Sequence, residues 1–170
     1  MIIAETCRQF LEDCGVDSER MSLEWASAAE APRFVELITS YVSKIKDKGP
    51  LGKADGEEER DRLIRHLEAG VKAAQARKPR TALGNLSKRL HKEGNFSKEA
   101  ISEGVKAKIL PALRSQRILE EIKMLLAERA MSVDELCKEA RAEKEEVEKH
   151  LSSLEKKGIA KETGGKWSLA

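Results

Sequence analysis

SVDELCKEARAEKEEVEKHLSSLEKKGIAKETGGKWSL, residues 132–169, holds the plainest folding instruction in the chain. Its first four residues, Ser132 to Glu135, form an S-x-x-E capping box, in which a hydroxyl and a carboxylate take up amides at the start of a helix. Val133, Leu136, Cys137 and Ala140 then recur at helical spacing and face inward. Val147, Leu151 and Leu154 mark the next helix, which Gly158 terminates. Ile159 enters a strand, Gly164-Gly165 is a two-residue hairpin signal, and Trp167 and Leu169 alternate on the return strand. Just upstream, Ile118, Ile122, Leu125 and Leu126 place one more helix in front. Residues 115–170 therefore read as three helices followed by a small β-hairpin.

Working toward the N-terminus, helical stripes continue. Ile101, Val105, Ile109 and Leu113 mark one helix with Ser97 as its cap, and Leu83, Leu86 and Leu90 mark another that Gly94-Asn95 interrupts. Leu63, Leu67 and Val71 supply the stripe of a third. It opens on the acidic run Glu57 to Glu59, favourable at the positive end of a helix dipole, and Lys78-Pro79 ends it. Three glycines and a proline between Gly49 and Gly56 read as a linker or turn. Before it, Cys7, Phe10, Leu11 and Cys14 form a stripe closed by Gly15. Met21, Leu23 and Trp25 alternate with Ser22 and Glu24, the period of a strand. A further helix bears Phe34, Leu37, Ile38, Tyr41, Val42 and Ile45, and Pro32 and a Ser27–Glu30 capping box compete for its start. The expected fold is mainly α. An N-terminal α-β-α fragment occupies 1–52, a basic helical linker segment 53–114 and the three-helix unit with its hairpin 115–170.

At 170 residues the chain has room for one ordinary domain or two small ones. Trp25 and Trp167 sit near opposite ends, which suggests a core at each and makes Trp25 a core residue. No apolar run reaches the roughly 18 to 20 residues of a membrane span, and the acidic N-terminus lacks a secretory n-region. A cytoplasmic location is expected. The net charge of +2 hides a partition. Residues 53–114 carry 15 basic against 9 acidic side chains, whereas residues 1–52 carry 6 against 9 and residues 115–170 carry 11 against 12.

Two resemblances add to this reading. Residues 19–30, Glu19-Arg20-Met21-Ser22-Leu23-Glu24-Trp25-Ala26-Ser27-Ala28-Ala29-Glu30, run on through Phe34 to Gly49-Pro50. The stretch resembles the C-terminal end of the methyl-viologen-reducing hydrogenase delta-subunit family, with its core E-R-x-x-L-E-W-x-S-A-x-E, an aromatic-bearing helix and a closing G-P. It covers residues 2–52. The resemblance implies electron transfer from a hydrogenase or formate dehydrogenase to heterodisulfide reductase, for which the family's cofactor is a [2Fe-2S] cluster. The family's cluster cysteines precede the position matching Met1, so no cluster is expected in this chain. The resemblance also implies that Glu24, Trp25, Ser27 and Glu30 lie where the module seats against its redox partner. The chain departs from the family at Ala31-Pro32, where a glycine is common. Separately, the order of residues 115–170 resembles a winged helix, with Leu151 to Lys161 as the end of its recognition helix running into the wing.

The residues offer little chemistry of their own. Three cysteines at unrelated spacings fit neither a disulfide framework nor a zinc site. Cys7 and Cys14 are candidate thiolate ligands, yet both fall on an apolar stripe where small hydrophobes are expected. His66, His91 and His150 are isolated, and His66, on a charged helix, is expected to face solvent. Phosphate loops, nucleophile elbows and paired carboxylates are absent from the sequence.

The leading expectation is a non-catalytic accessory or adaptor subunit of an electron-transfer complex in an anaerobe, partnered by hydrogenase, formate dehydrogenase or heterodisulfide reductase subunits. The alternative is a winged-helix DNA-binding regulator, with Lys149, Lys156, Lys157 and Lys161 on phosphates. Four carboxylates on the third helix (Glu143, Glu145, Glu146 and Glu148) oppose that reading. The acid-free run from Arg77 to Lys92 is a second basic face, read as solvated surface or as a patch for an acidic partner. The lone strand leaves open a homo-oligomer made by strand pairing.

Overall fold

A computed structural model describes residues 1–27, 29–52 and 56–170. Its helices are α1 (Ile2–Asp13), α2 (Ala31–Lys48), α3 (Glu57–Gln75), α4 (Arg77–Glu93), α5 (Lys98–Gly104), α6 (Leu110–Glu128), α7 (Val133–Ala140) and α8 (Lys144–Lys156). A π-helical segment, Val105–Ile109, joins α5 to α6 without a break, and a 3-10 turn, Ser18–Arg20, follows α1. The hairpin is β1 (Ala160–Thr163) with β2 (Lys166–Leu169), paired from Ala160–Leu169 to Thr163–Lys166. Gly164 and Gly165 both take positive φ, 60° and 79°, as a tight two-residue turn requires. The mainly α expectation and the terminal hairpin hold.

The π segment has a local cause. Pro111 brings no N–H to the helix and its ring crowds the carbonyl four residues back. Widening the preceding turn relieves that clash while Ile109 and Leu113 stay buried.

Two apolar cores lie along the chain. Leu86, Leu90, Ile101, Val105, Ile109 and Leu113 form one, flanked by Phe10 of α1. The other gathers Ile118, Ile122, Met131, Leu136, Leu151 and Trp167, among others. The capping box at Ser132 is made in full, and Met131 and Trp167 exchange backbone hydrogen bonds of 2.9 and 2.7 Å, which fasten the hairpin to the segment before α7. Because Leu113 serves the first core and Ile118 the second, α6 runs unbroken through residues 114 and 115.

Several sequence expectations change. Residues 21–27 lie in no strand and pair with nothing in a sheet; alternation alone cannot supply the neighbour that a strand's backbone needs. The N-terminal fragment is therefore two helices and an irregular connection. Trp25 is 68% exposed, so it is not a core residue. On α3 the buried face is His66, Ala69, Gly70 and Ala73, while Val71 is exposed. Small residues let α3 approach closely: a Cβ at Gly70 would stand 3.2 Å from the Phe10 ring. The break between α3 and α4 falls at Ala76, and Pro79 lies in the first turn of α4 instead of ending α3.

Candidate functional site

The segment from Asp17 to Gly49 is built around a clamp. The Arg20 guanidinium donates to the carbonyls of Gly49 and Lys48, 2.9 and 3.2 Å away, satisfying acceptors that the last turn of α2 leaves open. The Tyr41 hydroxyl donates to the Arg20 carbonyl. Lys48 pairs with Asp17 and, at 2.7 Å, with Glu19, while Lys44 stands 3.6 Å from Glu19. These contacts hold the Asp17 and Glu19 carboxyls below their usual range, Lys48 being the leading cause for both. The E-R pair of the sequence motif is thus the clamp that fixes the C-terminal end of α2.

At the other end, Glu30 accepts from the Ser27 amide at 2.8 Å, which is the first cause of its lowered pKa, and it pairs with Arg33 at 3.2 Å. Glu24 accepts from the Ser22 hydroxyl at 3.1 Å. Of the four expected docking residues, Glu24, Trp25 and Ser27 are exposed and Glu30 is half-buried.

What these contacts hold in place is an uncovered apolar surface. No residue of α2 is buried. Leu37, Tyr41 and Ile45 turn partly inward, but Phe34, Val35, Ile38 and Val42 are 43–60% exposed on one side of the helix. Residues 22–26 run beside Phe34, Ile38 and Tyr41 and leave a groove of about 680 Å³ between them. Leu23 and Trp25 extend the exposed apolar surface from this connection. An 18-residue amphipathic helix with its apolar side in water is unlike an ordinary surface helix, whose stripe is covered.

A second constellation lies inside the molecule, where sequence reasoning put only solvent. Glu121 of α6, with no exposed surface, receives Arg117 at 2.7 Å, His66 at 3.1 Å and Arg65 at 3.2 Å. Arg65 also reaches Glu139 of α7 at 2.5 Å, and Arg62 pairs with Glu59 at 2.5 Å. Asp13 of α1 holds Arg114, whose Nε lies 2.6 Å away. The network ties α1, α3, α6 and α7 together. His66 is buried at 3% exposure and does not face solvent, because a carboxylate on α6 meets it there. Three cationic or ring donors around one carboxylate make a joint between helices. The only hint in the sequence is that α6 places Glu121 and Arg117 one turn apart on its otherwise apolar side.

The thiols do not fit an iron–sulfur cluster. Cys14 is buried, close to where α3 passes at Gly70, and burial pushes its thiol up to about 11. Cys7 is exposed, which corrects its place on a buried stripe, because α3 covers the C-terminal end of α1 and leaves this turn open. Cys137 is half-buried on α7. Four thiolates are the usual ligand set, and among the described residues no group of three or more His, Cys, Asp or Glu side chains is placed to hold a metal.

The expected phosphate contacts are dispersed. Lys149 and Lys156 lie on α8, Lys157 caps it and Lys161 stands on β1, all exposed, with Glu143, Glu145 and Glu148 exposed beside them. His150 turns inward instead, with its ring nitrogen 3.3 Å from the Ser115 hydroxyl, and burial lowers its pKa. Among the described residues no helix is long and apolar enough to cross a membrane.

Residues 2–49 match the family model for the delta subunit of methyl-viologen-reducing hydrogenase. The chain is also similar to the A subunit of the ferredoxin:CoB-CoM heterodisulfide reductase of Methanosarcina mazei, at 33% identity over 48 residues. That alignment takes in 28% of this chain and 6% of the relative's length. No solved structure matches the chain. The match to the family model covers the helix–clamp–helix segment alone.

Proposed function

We propose that the chain is an accessory subunit of a hydrogenase–heterodisulfide-reductase type electron-transfer complex, in which residues 2–49 dock a redox-active partner. One observation carries this reading: the segment similar to the delta-subunit family is also where the fold leaves an apolar helix side uncovered. Stable interfaces place aromatic and aliphatic anchors in a desolvated centre with a polar rim. Trp25, Phe34 and Ile38 are suited to the centre, and Glu24, Ser27 and Glu30 to the rim. The clamp at Arg20 and Tyr41 presents this surface as a pre-set shape, so less ordering entropy is lost when the partner binds.

In this reading the chain's part is positional. Cluster and flavin chemistry belong to the partner, because the three thiols are dispersed and, among the described residues, none is grouped with other metal-ligating side chains. The three-helix unit with its hairpin at 115–170 and the basic middle serve as a platform, with the winged-helix order used as a scaffold. The acidic α8 is the reason for not placing it in a DNA groove.

The test is affinity purification of the tagged chain from native extract of its own cells. Recovery of a flavin- or iron–sulfur-containing subunit, lost on Trp25→Ala together with Ile38→Ser, is the expected result. Recovery of the chain alone, or of the same partner with the double variant, would sink the proposal.

A further inference from the structure

The run from Arg77 to Lys92, six basic residues and no acid, becomes a single helix in the structure. Pro79, Leu86 and Leu90 turn inward, so Lys78, Thr81, Asn85, Lys88, Arg89 and Lys92 share the solvent side of α4, and all six are exposed or partly so. The π segment runs alongside, and its Lys108 meets Asn85 and Arg89 around one shallow depression. Arg89 stands 3.8 Å from Glu93, and among the described residues none of Lys78, Lys88, Lys92 or Lys108 has an acidic partner. The fold therefore gathers unneutralised cations from two elements onto one face.

What sort of partner fits it follows from what the face lacks. Among the described residues the exposed large hydrophobic side chains lie on α1, α2, α3, the connections and the hairpin, and the nearest, Phe96, touches only the His91 end of α4. Protein interfaces have an apolar, aromatic centre and are poor in lysine. This face has no such centre and is rich in lysine. Its aromatic rings are confined to one end, where the exposed Phe96 meets His91 edge-on beside Lys92, and none lies among Lys78, Asn85, Lys88 and Arg89 to stack the successive bases of a single strand. A regular array of phosphates needs neither. From Lys78 to Lys92 the helix rises about 21 Å, about six steps of one duplex strand at 3.4 Å each. Thr81 and Asn85 add side-chain donors of the kind that contact phosphate oxygens.

We propose that the solvent face of α4, extended by Lys108, binds the phosphate backbone of a nucleic-acid duplex without reading its sequence. The contact differs from the one that the C-terminal helices suggest, since α8 brings carboxylates to the place where a groove would be read. It is independent of the docking role of residues 2–49.

Fluorescence anisotropy of the full chain with labelled DNA and RNA duplexes of unrelated sequence tests it. With about five phosphate contacts, log affinity falls with log salt at a slope of about −4.5, roughly five-hundredfold between about 50 and 200 mM. Replacing Lys88, Arg89 and Lys92 together by Gln is expected to weaken binding at least tenfold at the lower salt and to reduce the slope by about 2 to 3. Lys156→Gln, Lys157→Gln and Lys161→Gln combined leave both unchanged. All six positions are exposed, and an unchanged thermal melt identifies a variant as folded. The duplex held more tightly, DNA or RNA, identifies the source of the phosphates. Failure to bind either duplex, a flat salt dependence, or loss with the second triple variant instead of the first overturns the proposal. Tighter binding to single strands, or to polyglutamate, overturns it in favour of base stacking or an acidic protein.

Discussion

α2 and α8 are both amphipathic helices, yet one leaves its apolar side in water and the other buries it completely. Val147, Leu151 and Leu154 of α8 are at most 2% exposed, whereas no side chain of α2 is buried. Periodicity reports that a helix has an apolar side and is silent on what covers it. α8 is covered because the short connections of a three-helix unit return the chain onto itself. α2 follows an irregular connection and precedes a linker, and its fixed contacts are the polar ones at Arg20, Tyr41 and Lys48.

The largest effect is expected where the two ends of the molecule are joined. Glu121→Ala leaves Arg117, Arg65 and His66 buried without their shared carboxylate, a loss of about 3–5 kcal/mol. Chemical denaturation measures it, and a change below about 1 kcal/mol would show the joint to be incidental. Next comes the helix contrast itself. Leu151→Ala opens a cavity in a closed core and costs about 2–5 kcal/mol. Equal costs for Leu151→Ala and Ile38→Ala would break the comparison, because they would mean that α2 is covered in the isolated chain.

Acid separates the ends in a different way. Glu5 of α1, 21% exposed, takes Arg8 at 2.8 Å and Gln9 at 2.7 Å, and it accepts from Ser102 of α5 at 2.9 Å. The Arg8 hydrogen bond leads in holding its carboxyl down at about 2, against an ordinary 4.5. A lowered folded pKa means that the stabilising contribution is complete above the unfolded value and is lost as pH falls from about 4.5 to about 2. About 2 kcal/mol is expected, allowing for partial solvent screening. Thermal melts from pH 6 downward should converge for the wild type and Glu5→Gln near pH 2, and parallel curves would contradict the assignment.

Where the residues spoke and where they were silent has a physical pattern. The capping box at Ser132, the Gly164-Gly165 turn and the stripes of α6 and α8 are local signals, and each appears in the fold as read. The joint around Glu121 was hidden, since Arg65 lies 56 residues away on α3 and itself pairs with Glu139, 74 residues further on in α7. A histidine between charged neighbours carries no mark of being buried. Trp25 misled for the converse reason. Its alternation with Leu23 and Met21 was a true pattern, but a strand needs a second strand, and none reaches residues 21–27. For the candidate site, the residues supplied the family resemblance and the docking positions. Only the fold showed that Arg20 and Glu19 act as a clamp and that the apolar side of α2 is open.

The smallest effect on stability carries the sharpest consequence for function. Ile38 and Val42 are 49% and 43% exposed, on the side of α2 that no other helix or strand among the described residues covers. Replacing both by serine removes apolar surface that is only half covered, so the loss of stability should be small beside that of Leu151→Ala, about 1 kcal/mol. A surface that serves only solubility would tolerate the change without consequence. A docking surface would not: each of these side chains contributes apolar area that leaves water only in the complex, at roughly 25 cal/mol per Å². Trp25 makes the difference visible, because an exposed indole emits at long wavelength and shifts to the blue when a partner covers it, while Trp167, 8% exposed, changes little. In the Trp167→Phe background, partner addition should shift Trp25 emission in the otherwise unaltered chain and leave it in place after Ile38→Ser with Val42→Ser. Blue-shifted emission of Trp25 before any partner is added would mean that a second copy of the chain already occupies the surface.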